Sequence, residues 1–265
     1  MTEKILSQQQ YLDSLIRHQR KIRFVRLFLA FAFFLLWETA SSLNWIDSFF
    51  FSSPSRIASK FLFMWKDGSI FLHTGITLAE TLISFFLVVL LGLAVSLMLW
   101  FFESISEILE PYLVILNSLP KSALAPLLIV WLGASFRTII VAGMSVAIFG
   151  TILNLYTGFT ETSKDKIKLI YTLHGTKKDA LFKVVLPSTI PMIISIMKVN
   201  IGLCLVGVVI GEFIGARNGL GYLIIYGSQV FQLDLVIMSI LILCMMAMLL
   251  YGMITLIEKR YLKKS

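Results

Sequence analysis

The stretch KDKIKLIYTLHGTKKDALFKVVLPSTIP, Lys164–Pro191, decides how the rest of the chain is read. It is the longest polar segment between two long apolar runs, and it carries six lysines, at 164, 166, 168, 177, 178 and 183. Its apolar residues nevertheless keep helical spacing. Ile167, Ile170, Tyr171 and His174 recur at three- and four-residue steps, and Ala180, Leu181, Val184 and Val185 do so again. Gly175–Thr176 separates the two patterns. Glycine is favoured just past a helix end because it tolerates positive φ, and threonine is a good N-cap. Asp179 follows at the third helical position, where a carboxylate meets free N–H groups and the positive end of the dipole. The spacing predicts two short helices meeting at a tight corner, a structured loop suited to being held by a partner.

The flanking sequence places that loop in a membrane protein. Of 265 residues, 58% are hydrophobic and only 14% are charged, where a soluble domain has about a quarter charged. Mean hydropathy is +0.88. Apolar runs at about 24–43, 75–102, 111–131, 138–159, 188–211 and 233–257 are each long enough to cross a bilayer as a helix. The expected fold is an all-α membrane protein of about six transmembrane helices. An N-terminal segment 1–23, the loop 160–187 between spans four and five, and a tail 258–265 lie outside the spans. Fifteen of the 23 Lys and Arg residues fall in these three segments and Arg26 sits at the very start of the first run beside them; five fall in the alternate loops, and Lys121 and Lys198 lie inside spans. By the positive-inside rule both termini and the 160–187 loop are cytoplasmic. The formal charge of +8 then reflects topology, not nucleic-acid binding. Cys204 and Cys244 fall inside spans without metal-ligand spacing and read as small apolar residues.

Polar residues within the spans are candidates for function, because they are costly in lipid. Span three holds Asn117, Pro120, Lys121 and Pro126, a poor composition for a lipid-facing helix. Asn154 lies near the inner end of span four, whose small residues Ala142, Gly143, Ser145, Ala147 and Gly150 permit close packing. Span five contains Lys198 and Asn200, and a mid-span lysine costs about 2.5–3.5 kcal/mol unless it faces protein or water. Asn117, Pro120, Pro126, Asn154, Lys198 and Asn200 are therefore expected along a translocation pathway. GEFIGARNGLGYLI, Gly211–Ile224, suggests a re-entrant or tightly packed hairpin, with Glu212, Gly215, Gly219 and Gly221 as its candidate gate residues. Glu38 needs a partner or an interfacial position, Glu80 reads as an interfacial or intersubunit charge, and Ser55 can cap a short helix Arg56–Lys66.

These strings resemble the permeases of binding-protein-dependent ABC transporters. The Lys164–Pro191 segment is similar to that family's EAA loop, which runs Glu-Ala-Ala, three residues, Gly, and about a dozen more to Leu-Pro. Registered on Leu186–Pro187, the family glycine falls on His174 and the Glu-Ala-Ala on Lys168–Leu169–Ile170, so both differ, and Gly175 stands in one residue late. Thr172–Leu173, Thr176, Phe182, Val184–Pro187 and Pro191 keep the pattern. Trp37–Glu38, SLPKSALAPLLIVWLG (Ser118–Gly133), the Asn154, Tyr156 and Gly158 triplet, and Glu212 to Tyr222 extend it over most of the chain. The strings look most like the branch of nitrate, sulfonate and taurine permeases, which also includes thiamine-precursor permeases. The resemblance implies a multi-pass subunit of a prokaryotic inner or plasma membrane, importing a small solute delivered by an external solute-binding protein. It implies a second copy of the permease, surrounding membrane lipid, and a separate ABC ATPase subunit that binds ATP and Mg. ATPase coupling would fall on Leu173, His174, Gly175, Thr176, Asp179, Phe182 and Pro187.

Other chemistries find little support. No Gly-x-x-x-x-Gly-Lys-Ser/Thr loop, His-Glu-x-x-His or Gly-x-Ser-x-Gly occurs, so no cofactor or nucleotide is expected on this chain and no catalytic residue is assigned. His18, His73 and His174 lie in separate polar segments, so no metal site is expected. The alternative is an ion-gradient-driven secondary transporter using Glu38, Glu80 and Lys198, but six spans without an internal repeat are few for that class. An intramembrane enzyme would need a nucleophile–base or metal constellation that the sequence lacks.

Overall fold

Residues 2–262 are described by a computed structural model; the side chains of residues 2–16, 19 and 262 are not, and Lys263 and Lys264 of the basic tail lie outside the described residues. The described residues are helical and contain no strand. The helices are α1 (Thr2–Ser42), α2 (Ser48–Phe51), α3 (Pro54–Lys66), α4 (Ser69–Phe101), α5 (Glu103–Ser118), α6 (Lys121–Leu132) and α7 (Phe136–Thr160). They continue with α8 (Lys164–Thr172), α9 (Lys177–Ala180), a π-helical turn (Leu181–Val185), α10 (Leu186–Gly215), α11 (Leu220–Gln229) and α12 (Leu233–Leu262). Five helical segments are long and apolar enough to cross a membrane, and the bent pair α5–α6 makes a sixth.

The chain divides into two compact units, Met1–Phe63 and Met64–Ser265. In the first, the polar N-terminal segment is helical and runs unbroken into the apolar run, so the first span is the distal half of one long helix, Arg20–Ser42. The carboxylate of Glu38 accepts from the Ser55 N–H at 3.0 Å and the Ser55 hydroxyl at 2.8 Å. Ser55 is thus not the cap of the short helix. Ser53 precedes the helix and accepts from Arg56 N–H at 3.4 Å, and Glu38 satisfies the next free N–H from across the turn. The Trp37–Glu38 string buys a helix cap, which answers why a carboxylate sits at that depth.

In the second unit α7 is the centre, with α4 and α10 packed along it. Small residues allow this. A Cβ on Gly143 would lie 2.6 Å from Ser84 Oγ and 2.8 Å from Val208, and one on Gly207 would lie 2.9 Å from the Gly143 Cα. Without side chains in the way, helix backbones approach closely and dispersion replaces the hydrophobic drive missing in lipid. The Ser84 hydroxyl donates to the Ile140 carbonyl at 3.0 Å across the α4–α7 contact. Leu155, Phe159, Leu181 and Val185 form a buried cluster where the lysine-rich segment meets the bundle.

Two elements differ from their sequence expectation. The third span is not one helix but two, bent by 95° between Ser118 and Lys121. Pro120 disfavours the helical conformation at Leu119, whose ψ is 139°, and the ladder restarts at Lys121. The Lys121 ammonium donates to the Leu116 carbonyl freed by the break and lies 5.3 Å from the Phe149 ring. The second helix of the corner is likewise not separate. α9 passes through the π turn straight into α10. Pro187 has no N–H for the carbonyl four residues back, and a wider turn just before it accommodates the mismatch.

Candidate functional site

The corner between α8 and α9 is built by local hydrogen bonds. After Thr172, the N–H groups of Leu173, His174 and Gly175 bond back to Leu169, Tyr171 and Ile170 carbonyls at 3.1, 3.0 and 2.9 Å. His174, not Gly175, takes the left-handed conformation, with φ of 60°. It therefore fills the conformational place of the glycine that the resemblance puts there. Gly175 is required for another reason: a Cβ on it would lie 2.5 Å from the Ile170 side chain and 2.8 Å from the Ile170 carbonyl oxygen. His174→Gly should relieve backbone strain and stabilise the corner by about 0.5–1 kcal/mol, the left-handed penalty less the added chain entropy. Slower amide exchange at Leu173–Thr176 would register it, and faster exchange would contradict it.

Thr176 and Asp179 then form a capping box. Thr176 Oγ1 accepts from the Asp179 N–H at 3.3 Å, and Asp179 Oδ2 accepts from the Thr176 N–H at 2.9 Å and from its hydroxyl at 2.7 Å. Lys183 pairs with the other Asp179 oxygen at 2.8 Å. Below the corner, Ala180, Leu181 and Val185 are buried. Above it, Leu173 is 71% exposed and Phe182 66% exposed. A rigid helical corner thus presents two large apolar side chains outward. Lys177 ties the underside to α4 by donating to the Phe101 carbonyl at 2.9 Å. Pro187 is exposed at the second position of α10.

The proposed pathway residues do not form one surface. Asn117 of α5 stands over α7, where a Cβ on Gly150 would be 3.3 Å from its Oδ1, and the exposed Asn154 lies one turn further along the same face. Pro120 makes the bend beside them, and Pro126 is exposed on α6. Lys198 is turned elsewhere: its ammonium bonds both oxygens of Glu258 on α12 at 2.8 Å, with both side chains largely covered. Asn200, two residues on, is buried in the bundle, and its Nδ2 lacks a protein partner. A lysine mid-span is explained here by an ion pair between helices.

The glycine-rich string closes a tight hairpin between α10 and α11, held by a polar clamp. Glu212 is 1% exposed. Its Oε1 accepts from the Thr77 hydroxyl at 2.6 Å and its Oε2 from the Gly221 N–H at 2.6 Å. The Leu220 N–H donates to Thr77 Oγ1 at 2.8 Å and the Gly219 N–H to His73 Nδ1 at 3.0 Å. Three successive N–H groups at the start of α11, which have no partner within the helix, are thus satisfied by α4 and α10. Gly219 has φ of 114°, and a Cβ there would lie 2.1 Å from Glu212 Oε1. One on Gly221 would lie 2.7 Å from Oε2, and one on Gly215 would meet the tip of Ile129.

Glu80 corrects the expectation of an interfacial or intersubunit charge. It is 1% exposed, buried on the face of α4 that also carries Thr77, and its Oε2 has no hydrogen-bond partner among the described residues. The sequence carried a signal for this clamp: His73, Thr77, Glu80 and Ser84 repeat at four- and three-residue steps on a largely apolar helix, one polar stripe facing inward. Among the described residues no cluster of His, Cys, Asp or Glu could hold a metal ion.

Residues 88–263, which contain the corner, the hairpin and the α7 packing centre, match the family described as binding-protein-dependent transport system inner membrane component. The chain belongs to that family. The permease is 30% identical to a protein described as an ABC transporter permease in Haemophilus influenzae, over 91% of this chain and 98% of that one. It is 28% identical to the formylaminopyrimidine transport permease protein of Halalkalibacterium halodurans, over 71% and 74% of the two chains. It is 25% identical to a protein described as an aliphatic sulfonates transport permease in Bacillus subtilis, over 86% and 83%. Among solved structures, an inward-facing MetNI methionine ABC transporter chain shares the fold, with a TM-score of 0.61 at 19% identity over 71% of this chain and 94% of that one. The permease is a multi-pass transport component of an ABC importer, not an enzyme, and works with an ATPase and a binding protein.

Proposed function

We propose that this permease couples to its ATPase through the α8–α9 corner and carries a small polar organic solute or oxyanion. The observation that carries the coupling is the exposure of Leu173 and Phe182 on a corner whose own hydrogen bonds and buried underside hold it rigid. Apolar side chains displayed on a preorganised surface are the usual anchors of a protein interface, and the surrounding lysines act more on encounter rate than on tightness. On this reading the 160–187 segment, the N-terminal segment and the tail are cytoplasmic, and the opposite face receives the external binding protein. ATP and Mg reside on the ATPase. A second copy of the permease completes the path, with Asn117, Pro120, Pro126 and Asn154 as the positions best placed along it and Lys198 as an internal tie. The hairpin clamped by Glu212, with Gly215, Gly219 and Gly221, serves the gate by holding α11 in place, and the buried Asn200 keeps its place among the pathway candidates. Sulfonate and formylaminopyrimidine relatives make a small anion or heterocycle the favoured cargo class, with identity set by the binding protein.

Single cysteines test the orientation on which this rests. Position 165 should be shielded from an impermeant thiol reagent in intact cells and position 67 labelled. In the same strain, replacing residues 165–186 with a Gly/Ser linker should abolish co-purification of the ATPase. Labelling of position 165 from outside, or ATPase retention after the loop exchange, would overturn the assignment.

A further inference from the structure

At the lysine-rich end of the second unit a cleft of about 350 Å³ opens between the ends of α4, α5, α7 and α8. Its polar wall is Lys164, Lys177, Glu103, Ser106 and Tyr156, and Trp100 forms part of its apolar wall. We propose that this cleft binds the phosphate of an anionic phospholipid headgroup.

Its depth in the membrane is the first argument. α4 has 33 residues and α7 has 25, about 50 and 38 Å of helix, against a hydrocarbon core of about 30 Å. The cleft lies at Trp100 and Thr160, where both helices end, and helices that overspan the hydrocarbon core put their ends at headgroup level. Trp100 and Tyr156 are the residue types that favour that level.

Charge is the second argument. Two ammonium groups line the cleft against one carboxylate. Lys177 is half-buried, its Nζ 2.9 Å from the Phe101 carbonyl oxygen and 5.4 Å from the Trp100 ring centroid. That position holds the ammonium at the cleft wall while using one of its three donors. Ser106 and Tyr156 are already engaged, the Tyr156 hydroxyl with Ser106 Oγ at 3.0 Å and the Ser106 hydroxyl with the Glu103 carbonyl at 2.7 Å. The free donors are therefore those of the two lysines, which suit a singly charged phosphodiester. Basic pockets between helices at the membrane surface bind anionic headgroups for this reason. Lipid is favoured over soluble phosphate because Phe102, adjoining the cleft, is exposed and offers apolar surface to an acyl chain. The site is independent of what docks on the outer side of the corner, since Leu173 and Phe182 do not line it. A bound headgroup would clasp α8 and α9 to the ends of α4 and α7.

Native mass spectrometry of the delipidated full-length chain, titrated with dioleoyl-phosphatidylglycerol, dioleoyl-phosphatidylcholine or inorganic phosphate, tests this. Phosphatidylglycerol should bind preferentially, with affinity falling about fivefold for each lysine neutralised. Lys164→Gln, at an exposed position, should show one such step; the Lys164→Gln/Lys177→Gln double variant should show two. The double arginine variant should retain binding, which separates loss of charge from misfolding. Equal phosphatidylglycerol affinity in wild type and Lys164→Gln would overturn the proposal. So would phosphatidylcholine binding as tightly as phosphatidylglycerol, or displacement of the lipid by equimolar inorganic phosphate.

Discussion

Gly219→Ala is expected to destabilise the hairpin between α10 and α11 by about 3–5 kcal/mol, a large share of the stability of any domain. Two costs combine. Alanine is strained at a φ of 114°, and its Cβ would occupy the space of Glu212 Oε1, only 2.1 Å away. The carboxylate is fixed on several sides, so it cannot yield without releasing the Thr77 hydroxyl and the Gly221 N–H, both in buried contacts. A buried donor left without a partner costs about 1–3 kcal/mol. Gly202→Ala is the control, because a Cβ there meets nothing within 4 Å and the site is inside a helix. It should be neutral or slightly stabilising. The measurements are the thermal unfolding midpoint of the purified permease and trypsin cleavage at the exposed Arg217 in the hairpin turn. Gly219→Ala should lower the first and accelerate the second. Wild-type behaviour in both would show that the clamp does not hold the hairpin.

Phe182→Ala is expected to weaken ATPase retention by roughly thirtyfold or more while leaving the permease as stable as wild type. Two neighbours in the sequence, Leu181 and Phe182, face opposite ways. Phe182 is 66% exposed, so its loss removes little packing within the chain, and exposed substitutions usually stay within about 0.5 kcal/mol. An aromatic anchor at the centre of an interface contributes about 2 kcal/mol or more to binding, which is the thirtyfold. Leu181 is 3% exposed and packs with Leu155, Phe159 and Val185. Leu181→Ala should therefore cost about 2–5 kcal/mol of folding stability by leaving a cavity. Co-purification of the ATPase and unfolding midpoints, measured on both variants, separate the effects. Full ATPase retention by Phe182→Ala would remove Phe182 from the docking surface.

The sequence by itself determined what depends on neighbours three or four residues apart and on composition. Membrane-length apolar runs, the capping box of Thr176 and Asp179, and the close-packing stripe of α7 are all of this kind. A cap needs only its own turn, and a lipid-facing helix is recognisable from transfer energy alone. Gly175 marks the corner in the sequence, yet the left-handed residue is His174, because Gly175 is needed where its α-carbon passes the Ile170 carbonyl. Which of two adjacent residues takes positive φ depends on where the chain must go next.

Which in-span polar groups meet depends on tertiary packing. Glu38 reads as costly until the chain returns 17 residues later and offers it the start of α3. Lys198 reads as a pathway residue until Glu258, 60 residues on, is brought beside it. Glu212 reads as a loop carboxylate until Thr77, 135 residues earlier, donates to it. A polar side chain in an apolar span announces that a partner must exist, because leaving it bare costs several kcal/mol. It does not announce which partner, since the same cost is met by water, by a second subunit or by any helix that packing happens to place alongside.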